Sequence, residues 1–377
     1  MRPPTVRETA VRDAEDLYRQ PGPITSLYLG LNEVDDPHRI DLRWHHLRGE
    51  LSVAGTPEAD LALLDEQVTT SRDHRGPRVL AAFCAEGRLL ASRLLEQASG
   101  PDRAVFGPLP AGGPLLAWAQ QRITYLLVVT DHTGADITVR QWPAETQAVT
   151  HVEGSNDDIE SHAADGWAGL SQSRYQRRAI DSWEHNAVEG AAAVTRAVDE
   201  SHAEVVLITG DIRSVLLLHE ALPAHVRQRA RVLDEGGTRG DAGISPAVDA
   251  DVLDLIERTN TAATNELLHT WRDLTGQAGP ATTGARATAA ALHEGKVATL
   301  LVDYDEANHH TGWLGPEPAQ VAVGRHELAP LGVSLHRVPL ADALIRAAVA
   351  TGADVHMLPP NLSDGPPDGV AGILRYG

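Results

Sequence analysis

From Gly284 onward the chain alternates helix-like and strand-like runs, and that alternation leaves few ways to fold. "GARATAAALHEGKVATLLVDYD" reads as a helix running into an apolar strand, and "ADALIRAAVATGADVHMLPP" repeats helix then strand. "GVAGILRY" closes with one more strand. Connection rules then imply a layered sheet covered by helices, an α/β arrangement.

The preceding chain divides by the same reading. Up to Gln121, strand-like "PITSLYLGL" precedes the helical candidates "DLRWHHLRGEL" and "EADLALLDEQV". "RVLAAFC" and "RLLASRLL" flank Glu86-Gly87 as a hairpin does. The Pro/Gly-rich "GPLPAGGPLLAW" is expected to break regular structure, with a boundary just after it. Next, "TYLLVVTDHTGADITVRQW" predicts a hairpin turning at Asp131, Thr133 and Gly134. Beyond an irregular acidic stretch, Ile180, Trp183, Ala187, Ala191, Val194 and Val198 recur at helical spacing. "HAEVVLITGDIRSVLLLHEAL" adds a buried strand, a Gly-Asp turn and a helix, and "DEGGTRGDAG" ends the segment. The expected domains are therefore residues 1–121, 122–242 and 243–377, each a small mixed sheet with helices.

Composition excludes several classes. With 42% hydrophobic and 22% charged residues the chain has the balance of a folded soluble protein. No apolar run approaches a bilayer span, and the opening "MRPPTVRETAVRDAEDLYRQ" lacks the apolar core of a signal peptide, so a cytoplasmic protein without membrane contact is expected. Cys84 is the single cysteine and reads as core packing. The net charge of -20 repels polyphosphate at long range, so any nucleic-acid contact must rest on a local basic patch.

One stretch supplies such a patch. "WAGLSQSRYQRR", Trp167 to Arg178, ends a loop and begins a helix. In that helix Arg174, Arg177 and Arg178 stand at i, i+3 and i+4 and share one side, with Tyr175 available to stack on a base. Taken alone, a solvated helix start pairing with Asp157, Asp158 and Glu160 accounts for these arginines as well. Trp167, beside Gly166, suits either stacking on a base or tucking the loop onto its own domain.

With its surroundings, the chain resembles the archaeo-eukaryotic class-one release factor and Pelota superfamily. The likeness is to its bacterial paralogues of the Balon-like, actinobacterial hibernation type. "ALHEGKVATLLVD", "ATGADVHMLPP" and "GVAGILRY" follow the order and spacing of that superfamily's last domain. "LSQSRYQRR" is similar to the segment where Gly-Gly-Gln is followed by small and basic residues opening a long helix, and Gln172 falls on the family glutamine. Leu170 and Ser171 stand where the family has two glycines, after Gly169. The Asn-Ile-Lys-Ser stop-codon motif is missing, since Lys296 is the first lysine.

The resemblance implies a three-domain release-factor/Pelota-like α/β fold and a factor that binds the A site of the 70S ribosome under stress. It implies that Trp167, Gly169, Leu170, Ser171, Gln172, Arg174, Tyr175, Arg177 and Arg178 reach rRNA or tRNA near the peptidyl-transferase centre. It also implies that the first domain points to the decoding centre and that the last meets a translational GTPase, EF-Tu in a bacterium. No cofactor and no metal is expected, and no catalytic residue unless Gln172 serves a peptidyl-tRNA hydrolase, the alternative reading. With the resemblance, RNA contact is the favoured reading of the arginine patch.

Other motifs favour structural readings. Adjacent histidines, His45 and His46 or His309 and His310, lack further ligands at closed-site spacing. "GGTRGD", Gly236 to Asp241, lacks the Gly-Lys-Ser/Thr of a phosphate loop and reads as an interdomain hinge. Asp131 fits a turn and Asp136 a strand position better than a pair of acid-base carboxylates.

Overall fold

The computed structural model describes residues 6–31, 37–71, 78–96, 101–142, 145–153, 171–233 and 246–376. Contacts divide the chain into two compact units, one built on residues 122–260 and the other on residues 7–121 together with 261–377.

The second of these units opens with α1 (Val6–Arg19), β1 (Ile24–Leu31), α2 (Pro37–Val53), α3 (Glu58–Ser71), β2 (Arg78–Ala85), β3 (Arg88–Glu96), β4 (Arg103–Gly107) and α4 (Gly113–Gln121). The strands form an antiparallel sheet of order β3-β2-β1-β4. Every residue of β1 is buried, because both faces of the strand are covered. Leu27, Leu29 and Leu31 pack with Trp44, Leu47, Leu61 and Leu64 from α2 and α3. Tyr28 joins the opposite cluster, with Leu17 and Tyr18 of α1 and Leu115 and Leu116 of α4. Alternate residues point to opposite faces, so a strand buried on both sides is a continuous apolar run rather than an alternating one. Cys84 lies in this core, where burial pushes its thiol up to about 12.

The expected break at "GPLPAGGPLLAW" is corrected in its second half, where Gly113 to Gln121 is helix. Pro114 lies in the first turn, the place where a missing N–H costs a helix nothing.

The middle of the chain builds the other unit from β5 (Ile123–Asp131), β6 (Gly134–Trp142), β7 (Glu145–Glu153), α5 (Ser171–Ser201), β8 (Val205–Gly210), α6 (Ile212–Ala221), α7 (Ala224–Arg227) and β9 (Ala230–Val232). Its sheet has the order β7-β6-β5-β8-β9, antiparallel from β7 to β5 and parallel from β5 through β9. Leu126, Val128, Val206 and Ile208 meet Ala191, Val194 and Val198 of α5 and Val215 and Leu218 of α6. The other face gathers Ile123, Tyr125, Leu127, Val205 and Leu207, with Leu255 against them. Leu255 belongs to α8 (Pro246–Gly276), a helix whose residues up to Asn260 count with this unit and whose remainder counts with the other.

The last stretch runs through β10 (Ala281–Thr283), α9 (Ala285–His293), β11 (Val297–Val302), α10 (Tyr304–Asn308), β12 (Thr311–Leu314), β13 (Val321–Ala322), α11 (Arg325–Leu328), β14 (His336–Pro339), α12 (Leu340–Thr351), β15 (Asp354–Met357) and β16 (Val370–Leu374). A sheet of order β10-β16-β11-β15 is covered by α9 and α12 on one face. Leu268 and Trp271 of α8 cover Leu301 and Ala371 on the other. A small β13-β12-β14 sheet stands beside it.

A buried polar knot ties this stretch to the first. Asp342 of α12 accepts hydrogen bonds from Tyr18 Oη of α1 at 2.8 Å and from Tyr304 Oη of α10 at 3.1 Å. Gly112 N–H donates to the Tyr18 oxygen at 3.1 Å. A β-carbon on Gly112 would lie 2.7 Å from the Tyr18 ring, and one on Gly113 would overlap the Tyr304 ring. The two glycines are thus the cradle for two tyrosines from distant parts of the chain. Nearby, Gln120 closes the strand β15 by pairing with Val355 O and accepting from Met357 N–H.

Candidate functional site

β5 and β8 run parallel in register, Thr130 opposite Gly210, so both strands end at one edge of the middle sheet. Three connections meet there: the β5–β6 turn, the β8–α6 turn and the passage of α5 over the edge. At the first, Asp131 Oδ1 accepts from Thr133 N–H at 2.7 Å, Thr133 Oγ1 at 2.6 Å and Gly134 N–H at 3.1 Å. The carboxylate is thereby committed to the turn, as its sequence context suggests, while Asp136 sits in β6 opposite Val129. At the second, Gly210 has φ +128° and a β-carbon there would collide with Thr130 O. Only glycine lets the chain turn at that point. Asp211 follows and caps α6, accepting from Arg213 N–H at 3.1 Å and Ser214 N–H at 3.0 Å.

α5 begins at Ser171, so Ser171, Gln172, Arg174, Tyr175, Arg177 and Arg178 occupy its first turns. Arg174, Arg177 and Arg178 are at helical positions i, i+3 and i+4, the spacing that groups positions on one side of a helix. Trp167, Gly169 and Leu170 lie outside the described residues, as does the Gly236–Asp241 segment.

About three turns past its start, α5 reaches the sheet edge with residues whose role the sequence does not single out. Asn186 Nδ2 donates to His132 O at 3.1 Å and so pins the β5–β6 turn to the helix, while its buried Oδ1 finds no donor. Trp183, expected on the apolar face, is only half-buried. The His132 ring lies 6.1 Å from its indole, tilted by 45°. The Arg213 guanidinium lies over the indole at 4.7 Å from the ring centroid. Two signals were available for this cluster: Trp183 belongs to the helical apolar series that opens at Ile180, and Arg213 follows the Gly-Asp turn.

Other candidates are not drawn together. His46 lies 3.4 Å from Glu50, and His309 lies 3.3 Å from Glu306, each within one turn of its own helix or just past it. Among the described residues no three or more His, Cys, Asp or Glu side chains converge as a metal site would require. A cavity of about 260 Å³ opens in the last stretch beside Asp303, His309 and Asp368. Its aspartates already serve the backbone, for Asp303 accepts from Glu306 and Asn361 N–H groups and Asp368 from Ala285 N–H.

Among the described residues no helix is long and apolar enough to cross a membrane. The chain is 28% identical over 361 residues to an uncharacterized protein of Mycobacterium tuberculosis, Rv2629 in strain H37Rv and MT2704 in strain CDC 1551, covering 94% of each chain. Among solved structures it is similar to the archaeal translation termination factor aRF1, at 16% identity over 98% of both chains with a TM-score of 0.26. It is also similar to ribosome-bound archaeal Pelota, at 13% identity over 97% of this chain and 94% of the other with a TM-score of 0.39. Residues 124–277 match the family described as bacterial archaeo-eukaryotic release factor family 2, a span that holds the middle sheet, all of α5 and α8 to its end. Through that segment the chain is similar to the bacterial archaeo-eukaryotic release factors.

Proposed function

We propose that this protein is a ribosome hibernation factor that occupies the A site of idle or stressed 70S ribosomes without catalysing a reaction. The observation that carries this reading is the position of the family match: it spans the helix that starts at Ser171 and bears Arg174, Arg177 and Arg178 in its first turns. Arginines at those helix positions suit bidentate contact with phosphate. In this reading the segment from Trp167 to Arg178 approaches the peptidyl-transferase centre. Residues 1–121 lie toward the decoding centre, 122–242 carry the loop, and 243–377 meet EF-Tu. The net charge of -20 then works in favour of selectivity, since it opposes indiscriminate RNA binding and leaves contact to local basic patches.

Retention of Gln172 supports a second reading, a peptidyl-tRNA hydrolase in which that side chain positions water at the ester. Leu170 and Ser171, in place of two glycines, oppose it, because side chains there restrict the backbone conformations open to the loop.

Co-sedimentation with purified 70S ribosomes tests the main reading. Binding is expected to weaken as salt rises, through release of counterions from phosphate. Replacing Arg174, Arg177 and Arg178 together by glutamate should abolish co-sedimentation in a protein that still folds. A wild-type chain absent from the ribosomal fraction at low salt sinks the reading. In the same preparation, peptide release from peptidyl-tRNA should stay at background. Release that disappears in Gln172→Ala establishes the hydrolase instead.

A further inference from the structure

We infer that the stack of His132, Trp183 and Arg213 at the strand-end edge of the middle sheet is a docking site for an unpaired RNA base, separate from the basic start of α5. The inference rests on the ribosome-binding reading for its physiological partner, and on the geometry of these three side chains for its chemistry.

Trp183 is unlike other tryptophans whose partners are visible. Trp44 donates its indole N–H to Asp65 at 2.8 Å, and Trp271 donates to Thr282 O at 3.0 Å. These are aromatic bodies in the core with their polar edge satisfied. The indole of Trp183 is only half-buried, and no described residue accepts from its N–H. Arg213 is equally set apart. Arg19, Arg43, Arg48, Arg93 and Arg258 each pair with an acidic side chain. The Arg213 guanidinium lies over an aromatic ring, 4.7 Å from its centroid, and no described carboxylate pairs with it. Its neighbour Asp211 is held by the N–H groups at the start of α6, and Glu189, on the same helix as Trp183, faces His185 at 3.4 Å. An exposed cation that no described carboxylate neutralises has therefore been placed on a half-buried indole.

That pairing is what a nucleobase requires. Every base has a π-face that stacks on indole or guanidinium, and the guanidinium edge can fork onto the flanking phosphate. Ile212, 79% exposed, and Leu216, 56% exposed, extend an apolar border from the same face of α6. Rigidity is built in beneath: Gly210 and the Asp211 cap fix the start of α6, and Asn186 ties His132 to α5. Arg178 and Arg174 precede Trp183 on the same helix by five and nine residues, about 7 and 14 Å along its axis.

The molecule supplies its own control. Arg325 lies over Trp313 at 5.7 Å in the last stretch, a looser pair with no third planar group beside it among the described residues. The test measures affinity of the full-length protein for 70S ribosomes and, separately, for a fluorescein-labelled unstructured 12-nucleotide RNA. Trp183→Ala and Arg213→Ala should each weaken both by about tenfold, within the range of one lost base stack. Trp183→Phe should recover most of the loss, and Trp313→Ala should bind as wild type. If Trp183→Ala and Arg213→Ala fold and bind ribosomes and oligonucleotide at wild-type affinity, the stack is no docking site, although ribosome binding stands. If the wild type does not bind ribosomes, the functional reading fails and the oligonucleotide titration alone decides: sensitivity to Trp183 upholds the stack, indifference overturns it. Loss of ribosome binding in Ile212→Asp with none in Arg213→Ala assigns the face to a protein partner and overturns the RNA inference.

Discussion

Two clusters in this molecule combine aromatic rings with charge, and they resolve that combination in opposite ways. In the unit built from residues 7–121 and 261–377, Asp342 is fully enclosed, and two tyrosine hydroxyls donate into its carboxylate. Gly112 in turn donates to the Tyr18 oxygen, and Arg103 lies 5.8 Å from the Tyr304 ring centroid. At the edge of the middle sheet, Arg213 is exposed over a half-buried Trp183, and among the described residues neither the indole N–H nor the guanidinium has an acceptor or acidic partner. A closed cluster whose partners are all internal stabilises a fold, whereas an open one retains its interactions for a ligand.

The largest effect is expected at Asp342. Replacement by alanine leaves two buried tyrosine hydroxyls without their acceptor, and should cost about 2 to 6 kcal/mol in chemical denaturation. A loss below about 1 kcal/mol would mean that the cluster contributes nothing beyond its packing. The group also has a pH signature. Burial raises the Asp342 carboxyl from its ordinary 3.8 to about 6, against the lowering influence of the Tyr18 and Tyr304 hydrogen bonds and of Arg103. Between those values the folded protein holds a proton that the unfolded chain has released. The stability it contributes is full below the ordinary value and is lost as pH rises through about 6. The unfolding free energy of wild type minus that of Asp342→Asn should therefore fall by about 2 to 3 kcal/mol from pH 4 to pH 7. A flat difference across that window would remove Asp342 as the titrating group.

Gly113→Ala comes next, at about 1 to 3 kcal/mol, the range for forcing an extra carbon into a packed site. The new methyl would displace the Tyr304 ring, and with it the hydrogen bonds to Asp342. Gly49→Ala, with nothing within 4 Å of the added carbon, is the matching control and should not destabilise.

These two clusters also mark how far the sequence could be read. Local patterns carried well: the Glu86-Gly87 hairpin joins β2 to β3, the Asp131 turn joins β5 to β6, and the helix after the loop begins at Ser171. α1 lies in an opening stretch that carries no marked apolar run, and α4 is hidden by its Pro and Gly, which suggest a break. The knot at Asp342 was beyond such reading in principle. Tyr18 and Asp342 are 324 residues apart, and no local pattern announces that Gly112 and Gly113 receive rings from both ends of the chain. Trp183 was recognised as apolar and helical, yet its exposure depends on where the sheet ends beneath it. Only the register of β5 against β8 fixes that edge.

The smallest expected effect on stability is the one that most sharply divides the clusters. Arg213 is exposed, pairs with no described carboxylate, and meets Trp183 across a cation–π contact of 4.7 Å. Such a contact at an exposed site contributes about 0.5 to 1 kcal/mol, so Arg213→Ala should lower stability by no more than that. Its neighbours protect the fold from the change, because Asp211 caps α6 through the backbone N–H of residue 213, which alanine retains. The side chain would thus be nearly dispensable for folding while its loss weakens RNA binding about tenfold, the reverse of what Gly113→Ala should do. Urea denaturation and ribosome titration on the same preparations measure both quantities. A stability loss above about 2 kcal/mol for Arg213→Ala would make the guanidinium a structural brace, and the open cluster would then belong with the closed one.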